Sequence, residues 1–139
     1  MFFLGIKLEI EGNLDESCDL ILINHQSMLD IIVMEHLHNR NIAWVAKKEI
    51  TDLFFFGHII KAPRMISIDR ENKAGLIHLL SEVKDRLSKG RPIAMFPEGT
   101  RSDGTYIGEF KAGAKMVGNK FNLKVQPVVM FNTRNIVNS

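Results

Sequence analysis

The chain has 139 residues, of which 45% are hydrophobic and 24% charged, and its formal net charge is +2. These values are typical of one globular domain with a sizeable core, and they exclude a disordered or fibrous chain. The small charge argues against nucleic acid as a main partner but is compatible with an anionic membrane surface. The single cysteine, Cys18, permits no internal disulfide and is interpreted as a small buried residue.

Strand patterns open the chain. Residues 7–11 alternate between polar and apolar side chains, which predicts an edge strand, and residues 20–23 form a short apolar run that predicts a buried strand. No stretch approaches the roughly 18 uninterrupted apolar residues that a spanning helix needs, so the chain as given is not expected to cross a bilayer.

A polar turn follows the buried strand, from Asn24 to Asp30, and a helix is predicted over residues 28–38. Ligands of open α/β sheets bind where strands end, so His25 is a candidate general base oriented by Asp30. Ser27 and Asp30 also fit a capping box, which would give Asp30 a purely structural role. His36 and His38 complete no metal-ligand pair and are interpreted as surface residues.

The next strand is predicted over residues 42–46, and Lys47 at its end places a cation in the same crevice, where a phosphate would neutralise it. Residues 52–60 form the most concentrated apolar stretch, with three consecutive phenylalanines at 54–56. Three such residues on a helix cannot all face one core, so at least one lines a cavity or lies exposed, unless the whole segment is a buried helix.

A strand predicted over residues 65–68 ends at Arg70, whose planar fork can grip two phosphate oxygens. The clearest amphipathic helix follows over residues 72–89, with Leu76, Ile77, Leu80, Val83 and Leu87 as its apolar face and Gly90 as its cap.

An apolar run over residues 92–96 then leads to Gly99, Thr100 and Arg101, which together are interpreted as a phosphate cradle, with a generic turn as the alternative for this segment taken alone. A phosphate would repel the Glu98 carboxylate, so Glu98 is assigned to an acceptor hydroxyl, to backbone amides or to Arg101. A helix to Phe121 and a strand over residues 124–130 complete an α/β pattern. That pattern predicts a mainly parallel sheet flanked by helices on both faces, with the polar motifs gathered at one edge.

Four ordered motifs carry a family resemblance. The Asn-His-x-x-x-x-Asp turn and the Phe-Pro-Glu-Gly-Thr-Arg-Ser segment resemble those of the glycerolipid acyltransferases, most closely the bacterial 1-acyl-sn-glycerol-3-phosphate acyltransferases. Residues 66–70 resemble the family's middle motif, and residues 125–129 its Val-x-Pro-Val strand. The resemblance implies one catalytic domain over residues 1–139 that lacks the family's N-terminal membrane anchor and is truncated at both ends. A natural short member is the alternative.

The resemblance also implies an activity: transfer of a fatty acyl group from an acyl thioester to the 2-hydroxyl of 1-acylglycerol 3-phosphate, in phospholipid synthesis. His25 and Asp30 would be catalytic, without metal or cofactor, and acyl-CoA or acyl carrier protein would be the co-substrate. The acceptor phosphate would be held by five residues, namely Lys47, Arg70, Gly99, Thr100 and Arg101. Glu98 would orient the acceptor or the loop, and Phe54, Phe55 and Phe56 would contact the acyl chain or the membrane.

The implied partners are a lysophospholipid acceptor, an acyl thioester donor and a membrane surface, with the protein on the cytoplasmic face of the membrane. Three other functions stay open at this point. The acceptor could be glycerol 3-phosphate or another lysophospholipid, the same base could activate water in a thioester hydrolase, or the chain could bind phospholipid without turnover.

Overall fold

The computed structural model describes residues 2–3, 5–25, 27, 29–47, 66–68, 73–97 and 112–133. Within these residues the chain forms seven strands and three helices. The strands are β1 (Phe2–Phe3), β2 (Ile6–Lys7), β3 (Leu20–Ile23), β4 (Ala43–Lys47), β5 (Ile66–Ile68), β6 (Ile93–Met95) and β7 (Val125–Val128). The helices are α1 (Leu29–Leu37), α2 (Lys73–Ser88) and α3 (Ala112–Phe121).

Five strands form one parallel sheet in the order β5-β4-β6-β3-β7. β3 lies between β6 and β7, and its Leu22 pairs with Met95 on one side and Pro127 on the other. Because the strands run parallel, the residues that follow them meet at one edge, called here the carboxyl edge. The predicted parallel sheet is confirmed.

Helices cover both faces of this sheet. α1 packs on one face, where Ile21, Ile23 and Trp44 belong to the same apolar cluster as its buried residues. α2 and α3 pack on the other face, against Leu20 and Ile93 among others. Successive strand residues point to opposite faces, so a four-residue apolar run such as β3 fills both clusters, as a strand buried on both sides requires.

Gly90 ends α2 in the predicted way. Its φ of 74° lies in the left-handed region, which costs glycine no steric penalty. The Gly90 N–H donates to Leu87 O at 3.0 Å and the Arg91 N–H to Arg86 O at 3.1 Å. This pair of bonds is a Schellman motif, and it turns the chain from α2 into β6.

The predicted edge strand over residues 7–11 is wrong. β2 is two residues long and pairs antiparallel with β1, so it lies outside the five-stranded sheet. Residues 8–11 adopt no strand. The N-terminal chain instead meets β7 through the Gln126 side chain, which accepts from the Asp15 N–H at 2.5 Å and donates to Asn13 O at 3.0 Å.

Two predicted exposures are also wrong, although Cys18 is buried and His36 exposed as predicted. Ile77, assigned to the apolar face of α2, is 69% exposed. The side chains of α2 that face the sheet include Leu79 and Val83. Ile77 lies two residues before Leu79, and each helical residue turns by about 100°, so Ile77 points about 200° away from Leu79 and towards solvent. His38, assigned to the surface, is 5% exposed because the chain around Glu16 and Arg40 packs over it.

No helix in the described part of the chain combines the length and apolar character that crossing a membrane would require.

Candidate active site

The turn between β3 and α1 is built by a reciprocal helix cap. The Leu29 N–H donates to Ser27 Oγ at 3.2 Å, and the Ser27 N–H donates to Asp30 Oδ2 at 2.9 Å. The two bonds satisfy amide groups that the first turn of a helix leaves without partners. A carboxylate in the first turn is also favoured by the helix dipole. Ser27 therefore has the predicted capping role.

His25 lies in this turn, before the helix begins, and its ring contacts the same carboxylate. Its Nδ1 is 3.0 Å from Asp30 Oδ2. Both groups are buried, with 7% of His25 and none of Asp30 exposed. The two interpretations of Asp30, helix cap and histidine partner, are thus both met by one oxygen atom. Helical spacing would have separated residues five apart, but it does not apply to a residue that precedes the helix.

This pairing decides which ring nitrogen is basic. A neutral imidazole that donates Nδ1–H to Asp30 carries its lone pair on Nε2. A proton taken up at Nε2 produces an imidazolium, which the adjacent carboxylate stabilises in a buried site. The arrangement can therefore remove a proton from a hydroxyl group placed at the carboxyl edge.

An aromatic stack covers the imidazole. The Phe96 ring, which follows β6, stacks on His25 with ring centroids 3.8 Å apart and an interplanar angle of 22°. Trp44 stacks on Phe96 in turn, at 5.6 Å, and its Nε1–H donates to Glu35 Oε1 at 2.5 Å. Burial raises the pKa of the Glu35 carboxyl above its usual range. Glu35 lies on α1 and Trp44 on β4, so these two elements hold the Phe96 ring. The Phe96 ring in turn holds the plane of the His25 ring.

Two contacts from the chain after β7 were not predicted. The Asn24 side chain donates to Met130 O at 2.9 Å and accepts from Met130 N at 2.6 Å. Thr133 Oγ1 donates to Asp30 Oδ1 at 2.5 Å. The sequence held little signal of these contacts, since three apolar residues, Val129 to Phe131, separate β7 from the polar Asn132 and Thr133.

The other predicted site residues are placed only in part. Lys47 ends β4 at the carboxyl edge, and its backbone pairs with Ile68, the last residue of β5. Its side chain lies outside the described residues. So do the remaining predicted positions, which are Phe54, Phe55, Phe56, Arg70, Glu98, Gly99, Thr100 and Arg101. Within the described segments, no group of three or more His, Cys, Asp or Glu side chains is arranged to hold a metal ion.

Two acyltransferases of known name are similar in sequence to this chain. A 1-acyl-sn-glycerol-3-phosphate acyltransferase of Helicobacter pylori is 48% identical over 97% of this chain and 57% of its own length. A lyso-ornithine lipid O-acyltransferase of Brucella abortus is 31% identical over 94% of this chain and 51% of its own length. The chain thus spans little more than half the length of these curated relatives.

A solved structure has the same fold. The crystal structure of PlsC, the 1-acyl-sn-glycerophosphate acyltransferase of Thermotoga maritima, matches with a TM-score of 0.59 and 24% identity. The match covers 81% of this chain and 44% of that one, and it confirms the predicted α/β architecture. The family model described as Acyltransferase matches residues 6–131, which include the whole five-stranded sheet and both His25 and Asp30. The chain therefore belongs to the acyltransferase family, as the motifs predicted.

Proposed function

We propose that this chain transfers a fatty acyl group from an acyl thioester to the 2-hydroxyl of 1-acylglycerol 3-phosphate, giving phosphatidic acid. The observation that carries the proposal is the contact of 3.0 Å between His25 Nδ1 and Asp30 Oδ2, buried where the interior strand β3 ends at the carboxyl edge. The name of the 48% identical relative from Helicobacter pylori supports this choice of acceptor.

The reaction needs one base and no covalent enzyme intermediate. His25 Nε2 takes the proton from the acceptor hydroxyl while that oxygen attacks the thioester carbonyl carbon. The tetrahedral intermediate then breaks its C–S bond, and the imidazolium returns the proton to the leaving thiolate. The ester bond forms as the thioester bond is lost, so no oxidant, reductant or cofactor is consumed. Asp30 keeps the imidazole in the required tautomer throughout.

The acceptor's phosphate requires positive charge and hydrogen-bond donors at the same edge. We assign this role to Lys47, the last residue of β4, and to four residues that follow β5 and β6, namely Arg70, Gly99, Thr100 and Arg101. The parallel order of β5, β4, β6 and β3 supports the assignment, because those strands all end at the edge that carries His25. Glu98 in the same loop would orient the acceptor or Arg101. Phe54, Phe55 and Phe56 would contact the acyl chain or the lipid surface, with the protein at the cytoplasmic face of the membrane.

Acyl transfer can be measured directly. Purified protein is incubated with one labelled fatty acyl thioester, either of coenzyme A or of acyl carrier protein, and with 1-acylglycerol 3-phosphate in detergent micelles. We expect labelled phosphatidic acid, and its formation should depend on His25. Labelled free fatty acid in its place would identify a thioester hydrolase. Binding of the acceptor without any labelled product would identify a phospholipid-binding module.

A second acceptor is favoured by one comparison. The relative from Brucella abortus is named for lyso-ornithine lipid, which differs in its head group from lysophosphatidate. The same assay therefore includes lyso-ornithine lipid, glycerol 3-phosphate and a neutral lysophospholipid. A higher kcat/KM for lysophosphatidate than for these three supports the phosphate-binding role proposed for the carboxyl edge. A preference for lyso-ornithine lipid would contradict it.

A further inference from the structure

The two oxygen atoms of Asp30 have different partners. Oδ2 lies 3.0 Å from His25 Nδ1 and accepts from the Ser27 N–H at 2.9 Å. Oδ1 accepts from the Thr133 hydroxyl at 2.5 Å. Thr133 is 8% exposed and Asp30 is fully buried, so this hydrogen bond is shielded from water. A carboxylate bonded through both oxygens cannot rotate about its last side-chain bond without losing a charge-assisted hydrogen bond.

The segment that carries Thr133 is itself attached to the turn between β3 and α1, called here the catalytic turn because it carries His25, the proposed base. β7 pairs with β3 through four residues, from Leu20–Val125 to Ile23–Val128. Beyond the strands, the Asn24 side chain makes both hydrogen bonds to the backbone of Met130. These bonds hold Met130, three positions before Thr133, beside the turn that carries His25. Thr133 is therefore held next to Asp30 by the fold, although the two are 103 positions apart.

We propose that Thr133 is a positioning residue for acyl transfer, which holds the Asp30 carboxylate with Oδ2 facing His25 Nδ1. The helix cap does not need Thr133, because the cap uses Oδ2 and the Ser27 N–H. The hydroxyl acts on the other oxygen, where it sets the plane of the carboxylate. This role deepens the proposed function and rests on it, since positioning matters only if His25 is the base.

The test replaces the hydroxyl and keeps the shape. Thr133→Val removes the donor, and Thr133→Ser retains it. Ser17→Ala is the matched control, because the Ser17 hydroxyl also donates to an aspartate, Asp15 Oδ1 at 2.6 Å, in an exposed loop. We expect Thr133→Val to lower kcat about ten-fold with KM for both substrates nearly unchanged. Thr133→Ser should recover most of the loss, and Ser17→Ala should behave as wild type.

A double variant separates positioning from general destabilisation. If Thr133 acts through Asp30, then Thr133→Val should lower kcat no further once Asp30 has been changed to Ala. An equal loss in both backgrounds would overturn the proposal. Activity is referred to the folded fraction measured by circular dichroism. Loss of folding in both Thr133→Val and Thr133→Ala would assign the hydroxyl a purely structural role, which also overturns it.

A spectroscopic measurement keeps this inference distinct from the proposed function. A histidine Nδ1–H bonded to a buried carboxylate gives a downfield proton resonance that exchanges slowly with water. We expect it in the wild type, Thr133→Ser and Ser17→Ala, and expect it to broaden or disappear in Thr133→Val. If the resonance responds in this way but no acyl transfer is found, the positioning holds and the proposed function fails. A resonance and kcat unchanged by Thr133→Val overturn the positioning role, whatever the activity of the wild type.

Discussion

A histidine lies beside an acid at each end of α1, and only the pair at the start of the helix lies at the carboxyl edge of the sheet. At its start, His25 Nδ1 is 3.0 Å from Asp30 Oδ2, and just beyond its end, His38 Nδ1 is 3.4 Å from Glu16 Oε2. Both histidines are buried, at 7% and 5% exposure. An imidazole beside a carboxylate is therefore not enough to identify a catalytic pair.

The pairs differ in the acid and in the tautomer. Asp30 is fully buried and bonded through both oxygens, whereas the Glu16 side chain is 42% exposed. His38 Nδ1 accepts from the Arg40 N–H at 3.2 Å, so its proton lies on Nε2, which has no hydrogen-bond partner among the described residues. His25, which donates Nδ1–H to Asp30, has the opposite tautomer and lies at the carboxyl edge. Position in the fold and tautomer therefore distinguish the two histidines.

The largest effect should come from applying one substitution to both histidines. We expect His25→Gln to lower kcat about a thousand-fold, because a general base contributes on that order and glutamine cannot accept the proton. His38→Gln should leave kcat per folded molecule unchanged and cost about 1 kcal/mol in the free energy of unfolding. Steady-state kinetics and urea unfolding measure the two quantities. A similar loss of kcat in both variants would remove the distinction between the pairs.

The second-largest effect on kcat should come from replacing the acid beside each histidine. Asp30→Asn keeps an acceptor oxygen for the Ser27 N–H and for His25 Nδ1–H and so preserves the cap, but it removes the negative charge that would stabilise the imidazolium formed during proton transfer. We expect kcat to fall about a hundred-fold with little change in melting temperature. Glu16→Gln, the matched control, should keep wild-type kcat. A large loss of stability with unchanged kcat in Asp30→Asn would show that the carboxylate serves only the helix.

Glu35, on α1 between the two histidines, should give the smallest effect. Burial raises the pKa of its carboxyl, while the Trp44 N–H and the nearby Arg91 and His38 partly oppose the rise. A raised pKa in the folded state means that the folded protein binds the proton more tightly. Stability from this group is therefore largest in acid and decreases as the pH rises through the raised pKa.

The matched variant for this prediction is Glu35→Gln, which retains an acceptor for Trp44. We expect the wild type to lose stability relative to Glu35→Gln as the pH rises from acid to neutral, measured by urea midpoints. The direction of this change is the test. A wild type that gains stability relative to Glu35→Gln over that range would show that the ionised carboxylate is the favoured form. Activity should not change, because Glu35 reaches His25 only through Trp44 and Phe96.

The features predicted correctly from the sequence depend mostly on residues that lie close together in the chain. The contact between His25 and Asp30 was predicted because strand, helix cap, histidine and acid all lie between Leu20 and Asp30, where short-range rules apply. The buried state of His38 was missed because it depends on Glu16 and Arg40, which the fold brings over it. Thr133 was missed for the same reason, at a much longer range.

The pairing of β7 with β3 has a consequence for how the protein is made. The strand that begins at Val125 is the last in the described chain, yet it lies against the strand that carries His25. A ribosome releases β3 and α1 long before it releases Met130 and Thr133. In the nascent protein the turn that carries His25 and Asp30 therefore stays incomplete until Thr133 has been made, and it is completed only when β7 docks.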